Sequence, residues 1–404
     1  MSAVAGGADC PVPLGGSADR LLERLRAAAP GADLPSAPGR ALLAERAALC
    51  GFIPVRNRSA GGTCRLLRSR DRILAVNLAR AADWELMPAW LEREGIDAGD
   101  WRRVGALIAR RPAQHLLDRA LDLGLPVAAA NPPPAQPCAP FVVTLGQPAA
   151  PARSLPTRAA RVLDLSALWA GPLCGHLLHC AGADVVKVES MRRPDGARFG
   201  NARFYGLLNQ GKSCVALDLA TEPGVARLRA LIDRADIVIE GSRPRALHQL
   251  GIRPETLIAA RADLTWISIT AYGREDPQGT RVGFGDDAGV DAGLSAAMRE
   301  ATGLYRFAGD AIADPLTGMT AAIEALAGWR AGGSRLVALA LRDVAAHCLF
   351  DELRADRRRT LGEFARWHAR RRQPWTLAAR TIRAPVRDLG ADTEAVFARW
   401  GAGC

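Results

Sequence analysis

The sequence predicts an α/β protein: a Rossmann-like open parallel sheet in a large domain, preceded by a smaller α+β domain. Three observations carry this. From residue 161 onward, short apolar strands alternate with helix-length amphipathic stretches, the pattern of parallel strands joined by crossover helices. Before residue 130, helical and strand-like stretches mix without that alternation. Between them lies a run rich in proline: Pro132-Pro133-Pro134, Pro137, Pro140, Pro148, Pro151 and Pro156. Such a run reads as an extended connector. The expected division is therefore 1–130, a connector over 131–160, and 161–404. With 404 residues, 49% of them hydrophobic, there is ample material for two cores.

The elements follow in order. Residues 18–50 read as helix, with Leu21, Leu22, Leu25, Leu42 and Leu43 on apolar stripes. The Gly-rich turn Ser59-Ala60-Gly61-Gly62-Thr63 leads to strand-like stretches at Arg65–Arg68 and Ile73–Leu78. A helix carrying Trp84, Met87, Trp90 and Leu91 begins near Asp83, a suitable N-cap. Another spans 112–123 and stops at Gly124. In the large domain, strands are expected at Arg161–Leu165, Asp184–Val188, Val215–Leu219, Ile237–Ile239, Leu264–Ile269 and Leu336–Ala340. Helices are expected at Pro172–Ala181, Pro223–Ala235 and Pro315–Arg330. The Arg-rich stretch 351–380 is helical or mobile.

Composition narrows the function classes. No apolar run approaches the roughly 20 residues of a membrane span, and Met1–Gly16 has neither the basic start nor the apolar stretch of a signal peptide. A cytoplasmic protein is expected, with no membrane partner. The nine cysteines are odd in number and form no C-x-x-C pair, so neither a disulfide framework nor a metal site is expected. The net charge of +11 points toward an anionic partner. However, Lys187 and Lys212 are the only lysines and every other basic residue is Arg, dispersed through an Ala- and Gly-rich chain. Aromatics total only 5% and show no RNA-binding pattern, so no nucleic-acid partner is expected. A phosphorylated small molecule would use the same charge.

A series of ordered motifs goes further. Arg161–Glu189 reads RVLDLSALWAGPLCGHLLHCAGADVVKVE. It is followed by Asn209-Gln210-Gly211-Lys212, VALDL at 215–219, Ala235–Glu240, Ser242-Arg243-Pro244, Leu250-Gly251-Ile252, ISITAYG at 267–273 and GDAIADPLTG at 309–318. In order and spacing this resembles the family III CoA-transferases, which include formyl-CoA transferase, carnitine CoA-transferases and α-methylacyl-CoA racemase. SAGGT at 59–63, Ile73–Asn77, Asp83-Trp84 and Pro112–Pro126 resemble the family's small domain, and Ala384–Thr393 its closing segment. Here the small-domain segments precede the large domain instead of following its first section.

The resemblance implies roles. Asp314 would attack the thioester carbonyl of an acyl-CoA, forming an enzyme anhydride and then an aspartyl-CoA thioester that hands CoA to a carboxylic acid. Taken alone, Asp314-Pro315 is also an ordinary helix start, a cap followed by Pro at N1. Gly61 and Gly62 would form the loop closing over that aspartate, or an ordinary hairpin turn. Trp169 and Ala170 would line the CoA thiol end. Asn209 and Lys212 belong to the matched series. With Arg192, Arg193, Arg243 and Arg281 they make up the candidate CoA set, arginine being apt for phosphate. Coenzyme A, as acyl-CoA substrate, would be the only cofactor, with no metal. A homodimer is implied. Two other readings stand beside CoA transfer: an acyl-CoA racemase or isomerase, and an inactive CoA-binding protein. The racemase branch carries a titrating His where this chain has Phe284, next to Asp286 and Asp287. That departure counts against moving an α-proton.

Overall fold

The computed structural model describes residues 12–53, 55–149, 158–370 and 380–402. Pro151, Pro156 and the Arg371-Arg372 pair fall outside them. The chain is mixed α/β. Three antiparallel strands, β1 (Cys64–Arg68), β2 (Ile73–Asn77) and β3 (Val127–Ala129), form a small sheet. Seven more form the large one: β4 (Phe141–Leu145), β5 (Arg161–Asp164), β6 (Asp184–Ser190), β7 (Ser213–Leu217), β8 (Ile237–Glu240), β9 (Thr265–Thr270) and β10 (Arg335–Ala340). Their order is β4-β10-β9-β8-β5-β6-β7, parallel throughout except for β4.

This order fixes where a ligand belongs. The chain leaves β5 toward β6 and β7, then returns to lay β8, β9 and β10 on β5's other side. The crossovers therefore diverge between β5 and β8, and in open α/β sheets the ligand crevice is expected beyond the carboxyl ends of the two strands at such a switch point. The turn at residues 165–169 and the Ser242–Arg243 turn both border it.

Buried apolar strands read as near-continuous runs because both faces are covered. Residues 237–240, IVIE, are all buried. On one face the helices Ala170–Cys180, Ala313–Ala331 and Leu341–Ala369 contribute Leu173, Leu177, Leu316, Met319 and Leu349 to one core. On the other, Leu228, Leu231, Ile258 and Trp400 pack against Val186, Val215, Val238 and Trp266. A third cluster, with Trp90, Leu116, Val76 and Val127, fills the small sheet's helical side.

Three expectations are corrected. The helix predicted over 18–50 is two helices, Gly15–Ala28 and Gly39–Cys50, because Pro30, Gly31, Pro35 and Pro38 deny the intervening backbone its ladder. Both pack on the large-sheet core through Leu22, Leu25, Leu42 and Leu43. Second, the stretch read as connector contains β4, whose β-branched core Val142-Val143-Thr144 pairs with β10 while prolines flank it without interrupting it. Third, Asp83 is not the cap. Its helix is Ala81–Glu85, and Asp83 reaches back from the third position to accept the Arg80 N–H at 2.8 Å. The stretch from 351, expected as helical or mobile, is helical as far as Ala369, with a kink at Asp356.

Candidate functional site

Asp314 stands in the first turn of the 19-residue Ala313–Ala331 helix, whose N-cap is Ile312. The cap reading of Asp314 is thus replaced by a carboxylate inside the helix N-terminus, where the macrodipole favours negative charge. This helix crosses Ala170–Cys180 closely because residue 318 is glycine: a β-carbon there would fall 2.6 Å from the Ala170 carbonyl oxygen. Two helix N-termini consequently share one corner beside the β5 turn. Gly285 makes room for the carboxylate, since any side chain at 285 would overlap Asp314 Oδ2.

Two more acids crowd this corner. Asp310 is fully buried four residues upstream, and Asp286, in the Gly285–Asp291 helix, accepts the Ala311 N–H at 3.1 Å. Asp287, next along, accepts the Tyr272 hydroxyl at 2.6 Å and the Asn77 amide at 2.8 Å, tying the helix to β2 of the small sheet. Burial pushes the Asp314 carboxyl up to about 7, with Arg46 opposing and the neighbouring acids adding to the rise. Burial likewise raises Asp286 to about 7, helped by Asp310. Asp287 rises to about 6 through burial, against the hydrogen bonds from Tyr272 and Asn77.

These shifts have a stability consequence. An acid whose folded value lies above its unfolded one stabilises the fold while protonated, and that contribution fades as pH rises from about 4 through its folded value. The cluster should therefore stabilise the protein less at pH 8 than at pH 5. Asp286→Asn, which keeps an acceptor for the Ala311 N–H, is expected to raise Tm at pH 8 by a few degrees and to change it little near pH 4. Thermal melts across that range check this; a lower Tm for the variant at pH 8 would refute it.

Sequence reading missed Arg46. It lies on the Gly39–Cys50 helix, a stretch without a motif, and no spacing rule points to it. Its guanidinium grips Asp310 with two hydrogen bonds, Nε–Oδ2 at 2.9 Å and Nη2–Oδ1 at 2.5 Å, and lies 4.7 Å from the Trp169 ring centroid. Asp310 was missed as well, although it sits four residues before Asp314 inside the matched GDAIADPLTG segment.

The other predicted residues scatter. Trp169 is buried at the N-cap of its helix, edge-on to Phe204, so it packs in the core and offers its face to Arg46. Ala170 opens that helix, also buried. Gly62 needs its glycine, at φ 86, and its N–H closes a turn on the Ser59 carbonyl. Gly61 lies over Arg46 and Phe52, so the turn reaches the acid corner across Arg46. Arg192 and Arg193 are exposed beyond the carboxyl end of β6, with Arg192 paired to Asp218 at 2.9 Å. Arg243 is exposed at the N-cap of the Pro244–Gln249 helix. Arg281 is turned away onto Asp291 and Gln278, stacked on Tyr272.

Lys212 and Asn209 leave the ligand set. Lys212 Nζ is buried and already donates to Asp164 at 2.8 Å, the Pro172 carbonyl at 2.8 Å and Asn209 at 3.2 Å, which uses all three of its N–H groups. Asn209 is buried as one of those partners. Arg243 lies at the end of β8, beside the switch point, whereas Arg192 and Arg193 follow β6 on the far side of β5, with Arg192 held by Asp218.

Among the described residues no helix is long and apolar enough to cross a membrane.

Comparison with known proteins identifies the family. Residues 158–373 match the model of CoA-transferase family III. A probable fatty acyl-CoA transferase of Mycobacterium tuberculosis is 32% identical over 200 residues, 46% of this chain and 50% of its own length. The succinate–glutarate CoA-transferase of Agrobacterium fabrum is 32% identical over 225 residues, 50% of this chain and 55% of its own. The chain thus spans about half the length of these relatives. Among solved structures, a CAIB/BAIF family protein from Brucella suis aligns with a TM-score of 0.45 at 28% identity, covering 52% of this chain and 58% of its own.

Proposed function

Because the chain belongs to CoA-transferase family III, we propose that it moves CoA from an acyl-CoA thioester to a carboxylic acid, with Asp314 as the acylated group. One observation supports this above others. Asp314 is a partly exposed carboxylate at a helix N-terminus, beside the crevice that the strand order opens, with its titration held near neutrality. Near neutral pH such a group is partly ionised yet poorly solvated, the state in which a carboxylate attacks.

The exchange balances without a co-reactant. An Asp314 oxygen forms a bond to the acyl carbon, the C–S bond breaks, and the electron pair leaves on CoA sulfur. The thiolate then attacks the aspartyl carbonyl of the anhydride, releasing the donor acid and leaving an aspartyl-CoA thioester. The acceptor carboxylate then attacks the aspartyl carbonyl of that thioester, its C–S bond breaks, CoA thiolate leaves, and a second anhydride forms. The second anhydride is opened by CoA thiolate at the acyl carbonyl, which regenerates Asp314. Backbone N–H groups at the two helix N-termini are suitable donors to the oxyanions that form. Arg192, Arg193 and Arg243, all exposed, are candidates for the phosphates of CoA.

Intact mass after incubation with a panel of acyl-CoAs, followed by hydroxylamine trapping, tests this. Modification at Asp314 supports it, and tight CoA-ester binding without any adduct sinks it. Racemisation remains the rival, with Asp286 in place of the missing His as proton carrier, since its carboxyl also titrates near 7. Solvent deuterium entering the α-position would favour that rival.

A cytoplasmic homodimer completes the proposal, each site being built within one chain. Ser59–Gly62 and Asn77 reach the 285–314 acids of their own chain. Gly62→Val strains the turn, and Asp314→Asn removes the nucleophile. Co-expressing these two inactive variants as mixed dimers should recover no activity. Recovery would mean that the turn comes from the partner.

A further inference from the structure

We propose that Arg46 is a positioning residue for Asp314: clamped on Asp310 and seated against Trp169, it fixes one positive charge beside the attacking carboxylate. The proposal rests on the transferase reading of Asp314, and its main readout needs no turnover.

The geometry leaves the guanidinium little freedom. Two parallel N–H···O bonds to Asp310 set its plane. Trp169 holds it at 4.7 Å and Phe52 at 5.9 Å, ring centroid distances within cation–π range. Gly61 lies against it, 3.6 Å from Nη2 to where a β-carbon would stand. Trp169 is itself fixed by Phe204, and Asp310 by its burial in the loop that leads into the Asp314 helix. Arg46 therefore joins three pieces of the chain at the acid corner: the 39–50 helix, the β5 turn and the 309–314 loop. It comes from a segment outside residues 158–373.

A cation is required there on electrostatic grounds. The groups acting on Asp314 are Arg46 from the 39–50 helix, Asp286 and Asp287 from the 285–291 helix, and Asp310 from its own loop. The nearby thiols, Cys50 acted on by Arg46 and Asp310 and Cys64 by Asp287 and Asp286, are pushed up by burial and stay neutral. Three acids without a cation would hold Asp314 protonated through neutral pH, and a protonated carboxyl does not attack a thioester. Burial disfavours charge on Arg46 itself, but Asp310 more than offsets this, so the guanidinium stays protonated. The bond to Asp310 also neutralises the acid nearest to it in sequence.

The test is a ¹³C NMR titration of the aspartate carboxyls in the full chain, with Asp314→Asn used to assign the resonance. In Arg46→Met the Asp314 midpoint should rise by about one pH unit or more. In Arg46→Lys, which keeps the charge and loses the fork, it should stay near the wild-type value. Where a transferase substrate is in hand, the acid limb of kcat/KM should move with the midpoint, and added guanidinium should partly restore Arg46→Met. If Arg46→Met does not fold, Arg46→Gln replaces it, keeping a donor for Asp310 without the charge. An unmoved Asp314 midpoint in a folded, uncharged variant overturns the proposal and reduces Arg46 to a structural clamp. Failure of the transferase reading would appear separately, as Asp314→Asn retaining full turnover while the midpoint shift persists.

Discussion

Asp314→Asn is expected to lower CoA transfer by at least about 10³-fold while the protein stays folded and still binds a CoA ester. An amide has no anionic oxygen to offer a thioester, so neither the anhydride nor the aspartyl-CoA intermediate can form. The shape of the side chain is preserved, so the close approach at Gly285 survives. The acid corner also loses one of its mutually repelling carboxyls, and the variant should melt no lower than wild type at pH 8. Three measurements check this together: steady-state transfer with an acyl-CoA and an acid, calorimetric binding of the CoA ester, and Tm. Turnover within tenfold of wild type would remove Asp314 from the chemistry. Lost binding together with lost turnover would make it a ligand contact only. The expected pattern is intact binding, intact fold and no adduct on hydroxylamine trapping.

How far the sequence could be read depended on what kind of signal each element carries. β5 to β10 were legible because parallel strands buried on both faces are short, dense apolar runs, as in Ile237–Ile239, and no other element of that length looks alike. β4 was hidden by its prolines, although Val142-Val143-Thr144 has strand character. The break at 29–38 was legible in principle, since Pro30-Gly31 and two further prolines lie there, but the flanking leucine stripes masked it. The Asp314 region was found through a run of ordered motifs, not through any one residue. Arg46 could not be found that way. It is one arginine among 51, and its importance arises only when folding brings residue 46 to residue 310. For Lys212 the difficulty was the opposite one. Sequence marks a positive charge as available and cannot tell that a buried carboxylate already holds it.

Lys212 shows this most sharply, and substituting it should give the largest loss of stability. The chain's only two lysines are both buried. Lys187 Nζ lies 2.9 Å from Asp195 Oδ2 and from the Ser166 carbonyl, and Lys212 holds Asp164. Everywhere else this chain uses arginine. Lysine persists here because a compact ammonium fits a three-acceptor pocket that a planar guanidinium does not. Gly175 shows how tight the pocket is, since a β-carbon there would stand 2.8 Å from Asp164 Oδ2 and 3.0 Å from Lys212 Nζ. Against its own burial, the two ammonium groups hold the Asp164 carboxyl below its ordinary range. Lys212→Met would leave that carboxylate buried without its closest cation, at a cost of about 3–5 kcal/mol. For a large domain this corresponds to a fall in Tm of roughly 2–4 °C per kcal/mol. Lys212→Arg should also destabilise, by forcing the fork into the same space. The double variant Asp164→Asn/Lys212→Met removes both charges and should recover much of the loss, because the penalty belongs to the orphaned carboxylate. In whatever fraction folds, KM for the CoA ester should be unchanged. A variant with wild-type Tm and a raised KM would return Lys212 to the ligand set. A fall in Tm that the double variant repairs, with KM unmoved, fixes its role as the charge that lets β5 carry an aspartate into the core directly beneath the crevice.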